Sequence, residues 1–475
     1  MNTGSVTYID HQIEEFIGNP LIEALPPLHE PSVFPRLLLV QPPYSDKDRE
    51  KSADTRLYLL QRLAQLHVPT TEDTMILLNL SRCLTWGYVS RNPMDFSVVE
   101  KALEEKDIPM TDSLRKYLNT AIAPIYGFPV IGLSGVGKTT SVQNALSLYM
   151  QVIRHSEYRG IPFNEIQLVW LKVDCPGDAT PKGLCSAILR GIDEVLKTDY
   201  TSTIMKNRMS KDVLLIKVSQ LVQKLHLGIL IIDDIQNLCG KKGGVSDELL
   251  SFMVSMANNL KIPVVMVGTP KVLTLLQREF QQAKRASGEG EIRMDLMDKD
   301  SPEWSRFIKS LWHYQYTKNR VNLTEEMKKA FYEESVGNPF IAATLYKVVQ
   351  DDAIISRKER FTTAEVRENA RTKMGMTAKM RSDMLNGRDI EMNSFRKLWN
   401  IPKPTEQKEP SRAERKSAAL TERTAEIIKL MRARLDNELD EAGMKKYILS
   451  AVAANPEADI EVQMEYAVRL ADSEK

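Results

Sequence analysis

The sequence predicts an α/β domain with a parallel sheet packed between helices, followed by a compact all-helical domain. Three observations carry this. Short apolar, β-branched runs alternate with helical segments from about residue 126 to 298. Such runs belong to strands buried on both faces, and their alternation with helices implies parallel crossovers. A glycine-rich loop joins the first run to a helical segment, and from about residue 303 to 374 the strands stop while helical spacing continues.

Residues 1–120 read as an N-terminal appendage. Seven prolines between Pro20 and Pro43 forbid a long helix there, and helical spacing begins near Asp54. Residues 121–300 hold the α/β domain, with candidate strands at 128–133, 166–174, 228–233 and 263–268. Between them, Leu214, Val218, Leu221 and Leu225 recur at helical spacing, as do Leu249, Phe252, Met253 and Met256. Such stripes are core faces. Residues 301–375 read as the helical domain, 376–417 as a basic linker and 418–475 as a helical tail. Residues 371–416 carry twelve Lys/Arg against six Asp/Glu, net +6. The polar, proline-punctuated stretch inside them has linker composition.

The 475 residues suffice for several domains, and 43% hydrophobic with 27% charged residues is an ordinary globular balance. A net charge of +1 excludes a global electrostatic pull on nucleic acid but leaves local basic patches open. Cys83, Cys175, Cys185 and Cys239 show no C-x-x-C pair, and the six histidines show no metal-ligand spacing. A reduced, cytoplasmic setting is expected. The acidic start (Asp10, Glu14, Glu15) is unlike a signal peptide, and no apolar stretch reaches bilayer length.

The strongest motif is GLSGVGKT, residues 132–139, followed by Thr140. It fits G-x-x-x-x-G-K-[ST] without a mismatch. Gly132, Gly135 and Gly137 let the backbone of Ser134 and Val136 fold around phosphate oxygens. Lys138 supplies a point charge, and the Thr139 hydroxyl is a magnesium ligand. A strand before the loop and a helix after it complete the context. The second motif is GILIIDDIQNL. A buried strand ends in Asp233, suited to the Mg²⁺ shell, and Asp234, placed to polarise an attacking water. Third, Thr269 ends the PVVMVG run. There it can reach a γ-phosphate, or serve as a helix N-cap before Pro270. Fourth, Arg278, Lys284, Arg285 and Arg293 form a basic cluster. It fits an arginine acting on a neighbouring subunit's phosphate, or a solvated helix face.

Together these residues resemble the AAA+ ATPases. The resemblance narrows to the TnsC family of transposition regulators, with looser similarity to TniB and MuB. Its carriers are EEFIGNPLIEALPP, GLSGVGKTT, IIDDIQNL, QQAKRASGEGEIRMDLM with EWSRFIKSLWHYQYT, and SVGNPFIAATLYKVVQ, across about residues 10–375. The resemblance implies a parallel five-stranded sheet between helices and a helical lid. It implies ATP and Mg²⁺ as cofactors, Asp234 as hydrolytic acid, Thr269 as sensor and Arg285 as trans-acting arginine. Such proteins usually carry Glu where Asp234 stands, so slow, switch-like hydrolysis is expected. The family also implies rings or filaments on double-stranded DNA without base reading. Transposase subunits and a target-selection protein are the implied partners, in a bacterial cytoplasm and away from the membrane. Lys182, Lys206 and Arg208 are candidate phosphate contacts. An AAA+ replication initiator or helicase loader is the alternative; it would usually add a winged helix after the lid. A P-loop small-molecule kinase is the third reading.

Overall fold

The computed structural model describes residues 6–94, 127–205, 209–238, 262–270 and 290–375, with isolated positions and the helix Ile460–Ser473 beyond them. The chain divides into two compact units, Met1–Ile401 and Pro402–Lys475.

The first unit is built on a sheet of five parallel strands in the order Trp170–Asp174, Ile229–Asp233, Val264–Gly268, Phe128–Gly132 and Ile292–Met294. They are β1 (Phe128–Gly132), β6 (Trp170–Asp174), β7 (Ile229–Asp233), β8 (Val264–Gly268) and β9 (Ile292–Met294). Every residue of β1, β7 and β8 is buried, as unbroken apolar runs require when helices cover both faces. Alternation along β7 divides the core. Leu230 and Ile232 face a cluster with the helices Pro181–Leu196 and Lys211–Lys224. Ile229 and Ile231 face one with the helix Lys138–Ser147.

The N-terminal segment is extended and helical, as expected, but it does not stand apart. Phe16, Leu21, Ile22, Phe34 and the apolar stripe of the helix Thr71–Val89 lie in the same cluster as Ile229 and Ile231. They supply much of one layer of the sandwich. Leu60 and Leu63 turn the other way, into the core of the helical domain. The segment thus packs on both.

One run expected as a single strand is two. Ile166–Leu168 is β5, antiparallel to β2 (Val152–Arg154), outside the main sheet. After Val169 the chain enters the sheet as β6. A short ladder, β3 (Glu157–Tyr158) with β4 (Ile161–Pro162), lies between β2 and β5. Val169 is fully buried, so hydrophobicity alone carries no mark of the break.

The expected helical lid is four helices: Pro302–Trp312, Glu325–Ser335, Pro339–Ile355 and Thr363–Thr372. Ser301, Thr324, Asn338 and Thr362 each accept a first-turn backbone N–H with the side chain. Trp312, Phe331, Tyr346 and Phe361 pack edge to face or tilted in its core. In the second unit, the helix Ile460–Ser473 buries Met464 and Ala467.

Candidate nucleotide site

The site forms where three adjacent strands end. β1 pairs with β8 and β8 with β7, all parallel. Their C-terminal ends therefore carry the glycine-rich loop, Thr269 and Asp233 along one edge of the sheet. Crevices at such edges are where open parallel sheets bind ligands.

The loop conformation follows from its glycines. Gly135 (φ +79°) and Gly137 (φ +103°) occupy left-handed backbone that other residues rarely adopt. At Gly132 a Cβ would lie 2.1 Å from the Met294 carbonyl oxygen, so only glycine lets β9 approach. Gly137 begins the helix Lys138–Ser147 without a side-chain cap, an arrangement suited to an anion at the helix N-terminus. Thr139 and Thr140 are exposed on that first turn. Lys138 Nζ donates to the Leu133 carbonyl at 2.8 Å.

Asp233 is buried at the end of β7. Its Oδ1 accepts the Asp234 backbone N–H at 2.8 Å, and its Oδ2 lies 3.0 Å from Lys172 Nζ. Burial would lower the Lys172 pKa, but its pairing with Asp233 and Asp174 outweighs this and raises it. Asp234 is exposed and held at φ +54°, a costly conformation for a residue with a side chain. Its Oδ1 accepts from Gln236 Nε2 at 2.6 Å, while Gln236 Oε1 accepts the Thr269 backbone N–H at 3.3 Å. One amide thus joins the expected hydrolytic acid to the expected sensor. Thr269 is 6% exposed, and its Oγ1 has no hydrogen-bond partner among the described residues. A buried hydroxyl without a partner is costly; a phosphate oxygen or bound water at the sheet edge would satisfy it.

These residues fit a magnesium nucleotide. Mg²⁺ keeps several waters and uses few protein ligands beside substrate phosphates. Among the described residues no group of three His, Cys, Asp or Glu side chains could hold a metal ion by itself.

A cavity of about 370 Å³ adjoins the loop, walled by Val136, Gly137 and Thr140, by His67, and by Met297 and Phe340. Its size suits a nucleoside. Beneath it His67 Nε2 lies 2.9 Å from Asp73 Oδ1. Asp73 also accepts the Thr70 backbone N–H in a capping box. Burial pushes the Asp73 pKa up, but its hydrogen bonds prevail and it lies below the ordinary value. Beside the loop, Asn338 Nδ2 donates to the Ser134 carbonyl at 3.0 Å, while Asn338 Oδ1 accepts the Ile341 N–H. The lid helix is therefore tied to the loop by its own cap.

The structure brings the residues of 132–140, Asp233, Asp234 and Thr269 to one edge. Lys182 is exposed at the start of its helix. Arg293 is on β9, 4.0 Å from Glu291. Arg285, with Arg278 and Lys284, and the candidate DNA contacts Lys206 and Arg208 lie outside the described residues. Sequence reasoning missed Lys172, Gln236, Asn338 and His67. Asn338 alone left a trace, as an Asn-Pro helix start.

Residues 128–276 match the family model described as an AAA domain. The matched segment is similar to an AAA domain and makes up less than half of the chain. It begins at the first residue of β1 and spans the loop, the acid pair and Thr269. Among solved structures, the Walker-type ATPase PABY2304 of Pyrococcus abyssi is 14% identical, covers 62% of this chain and 75% of its own, and has a TM-score of 0.33. A katanin structure concerned with self-assembly is 13% identical, covers 50% and 60%, and has a TM-score of 0.27. No curated protein matches the sequence. Among the described residues no helix is long and apolar enough to cross a membrane.

Proposed function

We propose that this chain is an ATP-driven switch that assembles on double-stranded DNA and regulates transposition. The observation that carries the ATP-driven part is the meeting, at one sheet edge of the segment that matches an AAA domain, of the glycine loop, the Asp233–Asp234 pair and the Thr269 hydroxyl, unpartnered among the described residues. In this reading Lys138 and the loop N–H groups bind the phosphates, and Thr139 and Asp233 hold Mg²⁺. When bound, Mg²⁺ supplies positive charge against the phosphates. Asp234 orients and deprotonates the attacking water, with Gln236 fixing its carboxylate, and Thr269 donates to the terminal phosphate or that water. Asp234 is shorter than glutamate and already engaged by Gln236, which supports slow turnover.

The transposition part rests on the sequence blocks that resemble the TnsC family. In that reading ATP-bound subunits form rings or filaments, Arg285 reaches the neighbouring subunit's nucleotide, and Lys182, Lys206 and Arg208 contact DNA phosphates. The N-terminal segment and the C-terminal tail contact target-selection and transposase proteins, in the cytoplasm.

Electron microscopy on random-sequence duplex DNA tests this. Rings or filaments are expected with a slowly hydrolysed ATP analogue and not with ADP. Monomers in both conditions would overturn the proposal and favour a loader or a kinase.

A further inference from the structure

Both oxygens of the buried Asp233 carboxylate are engaged, one by a backbone N–H and one by Lys172. Lys172 comes from β6, the hydrogen-bonded neighbour of β7. The register pairs Lys172 with Ile231 and Asp174 with Asp233. Side chains two apart share a face of a strand, so Lys172, Asp174 and Asp233 lie on one face. Lys172 Nζ also lies 3.5 Å from Asp174 Oδ1. The Asp233 side chain is 4% exposed and that of Asp174 is 73% exposed. One lysine stands between a buried acid and a solvent-facing one.

A buried carboxylate needs a compensating charge close by. Lys172 supplies it here, on the oxygen that the Asp234 N–H leaves free. Asp174 offers the ammonium a second partner within a short swing. We propose that Lys172 is the resident counter-cation of Asp233, neutralising it when no metal is bound and passing to Asp174 when Mg²⁺·ATP arrives. This rests on the reading of Asp233 as a magnesium ligand. The consequence is that ATP approaches the loop even without metal, because no bare carboxylate opposes its phosphates. Lys172 is a positioning residue, acting through Asp233.

The test measures ATP affinity of the full chain by equilibrium binding, in EDTA and in Mg²⁺. Lys172→Met is expected to lose about tenfold or more in EDTA and much less in Mg²⁺. Lys172→Arg should keep the parent ratio between the two conditions. Asp174→Asn should weaken binding in Mg²⁺ alone, since the displaced ammonium loses its second partner. A Lys172→Met loss equal in both conditions, as a merely structural lysine would give, or no loss in either, overturns the proposal. If Lys172→Met does not fold, the other two variants decide: Asp174→Asn unchanged in Mg²⁺ overturns the hand-over. Failure of the parent to bind Mg²⁺·ATP would instead overturn the nucleotide reading. Unaltered Mg²⁺·ATP binding by Asp233→Asn would overturn Asp233 as the metal ligand.

Discussion

Thr269→Val separates what the Thr269 hydroxyl costs the fold from what it gives the reaction. The side chain is 6% exposed and its Oγ1 is unpartnered among the described residues. An unpaired buried hydroxyl costs about 1–3 kcal/mol. Valine keeps the shape and removes the penalty, and the added methyl contributes up to about 0.8 kcal/mol of burial. Relaxation around the site reduces both, so a gain of about 1 kcal/mol in the absence of nucleotide is the working figure. For a cooperative unit as large as Met1–Ile401 that is a rise of about 1 °C in the melting midpoint. With ATP bound the sign reverses. The lost hydrogen bond to a charged group is worth about 1.5–3 kcal/mol, or roughly 10- to 100-fold in turnover. The assays are thermal unfolding in EDTA without nucleotide and phosphate release with Mg²⁺·ATP. A variant that melts lower and hydrolyses ATP at the parent rate would refute the reasoning, because the hydroxyl would then be serving the fold alone.

The remaining predictions concern the loop, the acid and the lid. Lys138→Ala should abolish ATP-dependent DNA binding, read by filter binding or electron microscopy. Asp234→Asn should leave ATP binding intact, lower hydrolysis by at least about 100-fold and trap the DNA-bound oligomer; unchanged disassembly would remove Asp234 from the mechanism. Arg56 is 1% exposed and donates to Glu359 at 2.7 and 2.6 Å and to two backbone carbonyls. Arg56→Met should therefore destabilise the first unit by about 3–5 kcal/mol in denaturant titration. The hydrogen bond from Arg56 holds the Glu359 carboxyl below its ordinary 4.5. Its stabilisation is thus present above the unfolded pKa and is lost as pH falls through the lowered folded value. The difference in stability between parent and Glu359→Gln should shrink in acid and stay constant above about pH 5.

The strand–loop–helix of residues 128–147 was legible because its causes are local. An apolar run makes the strand, glycines permit the positive φ angles, and helical spacing follows at once. The same holds for the acids at the end of β7, the helical lid and the fold class. The sequence by itself therefore determined four of the five sheet strands, the phosphate loop and the acid pair, while the short edge strand Ile292–Met294 went unread. Other features depended on residues far apart in the chain. Helical periodicity in Thr71–Val89 marks a buried face but not which surface covers it, and only tertiary packing put it against the P-loop helix. Asn338 caps its own helix by a local rule, yet its second bond reaches Ser134, 204 positions away. Lys172 reads as an isolated charge in an apolar run until β6 pairs with β7 and lays it against Asp233. The break at Val169 was invisible because burial on both sides keeps the run apolar while the chain changes sheets. Local periodicity encodes which face is buried; which partner buries it, and which charge it meets there, is decided only when distant segments are brought together.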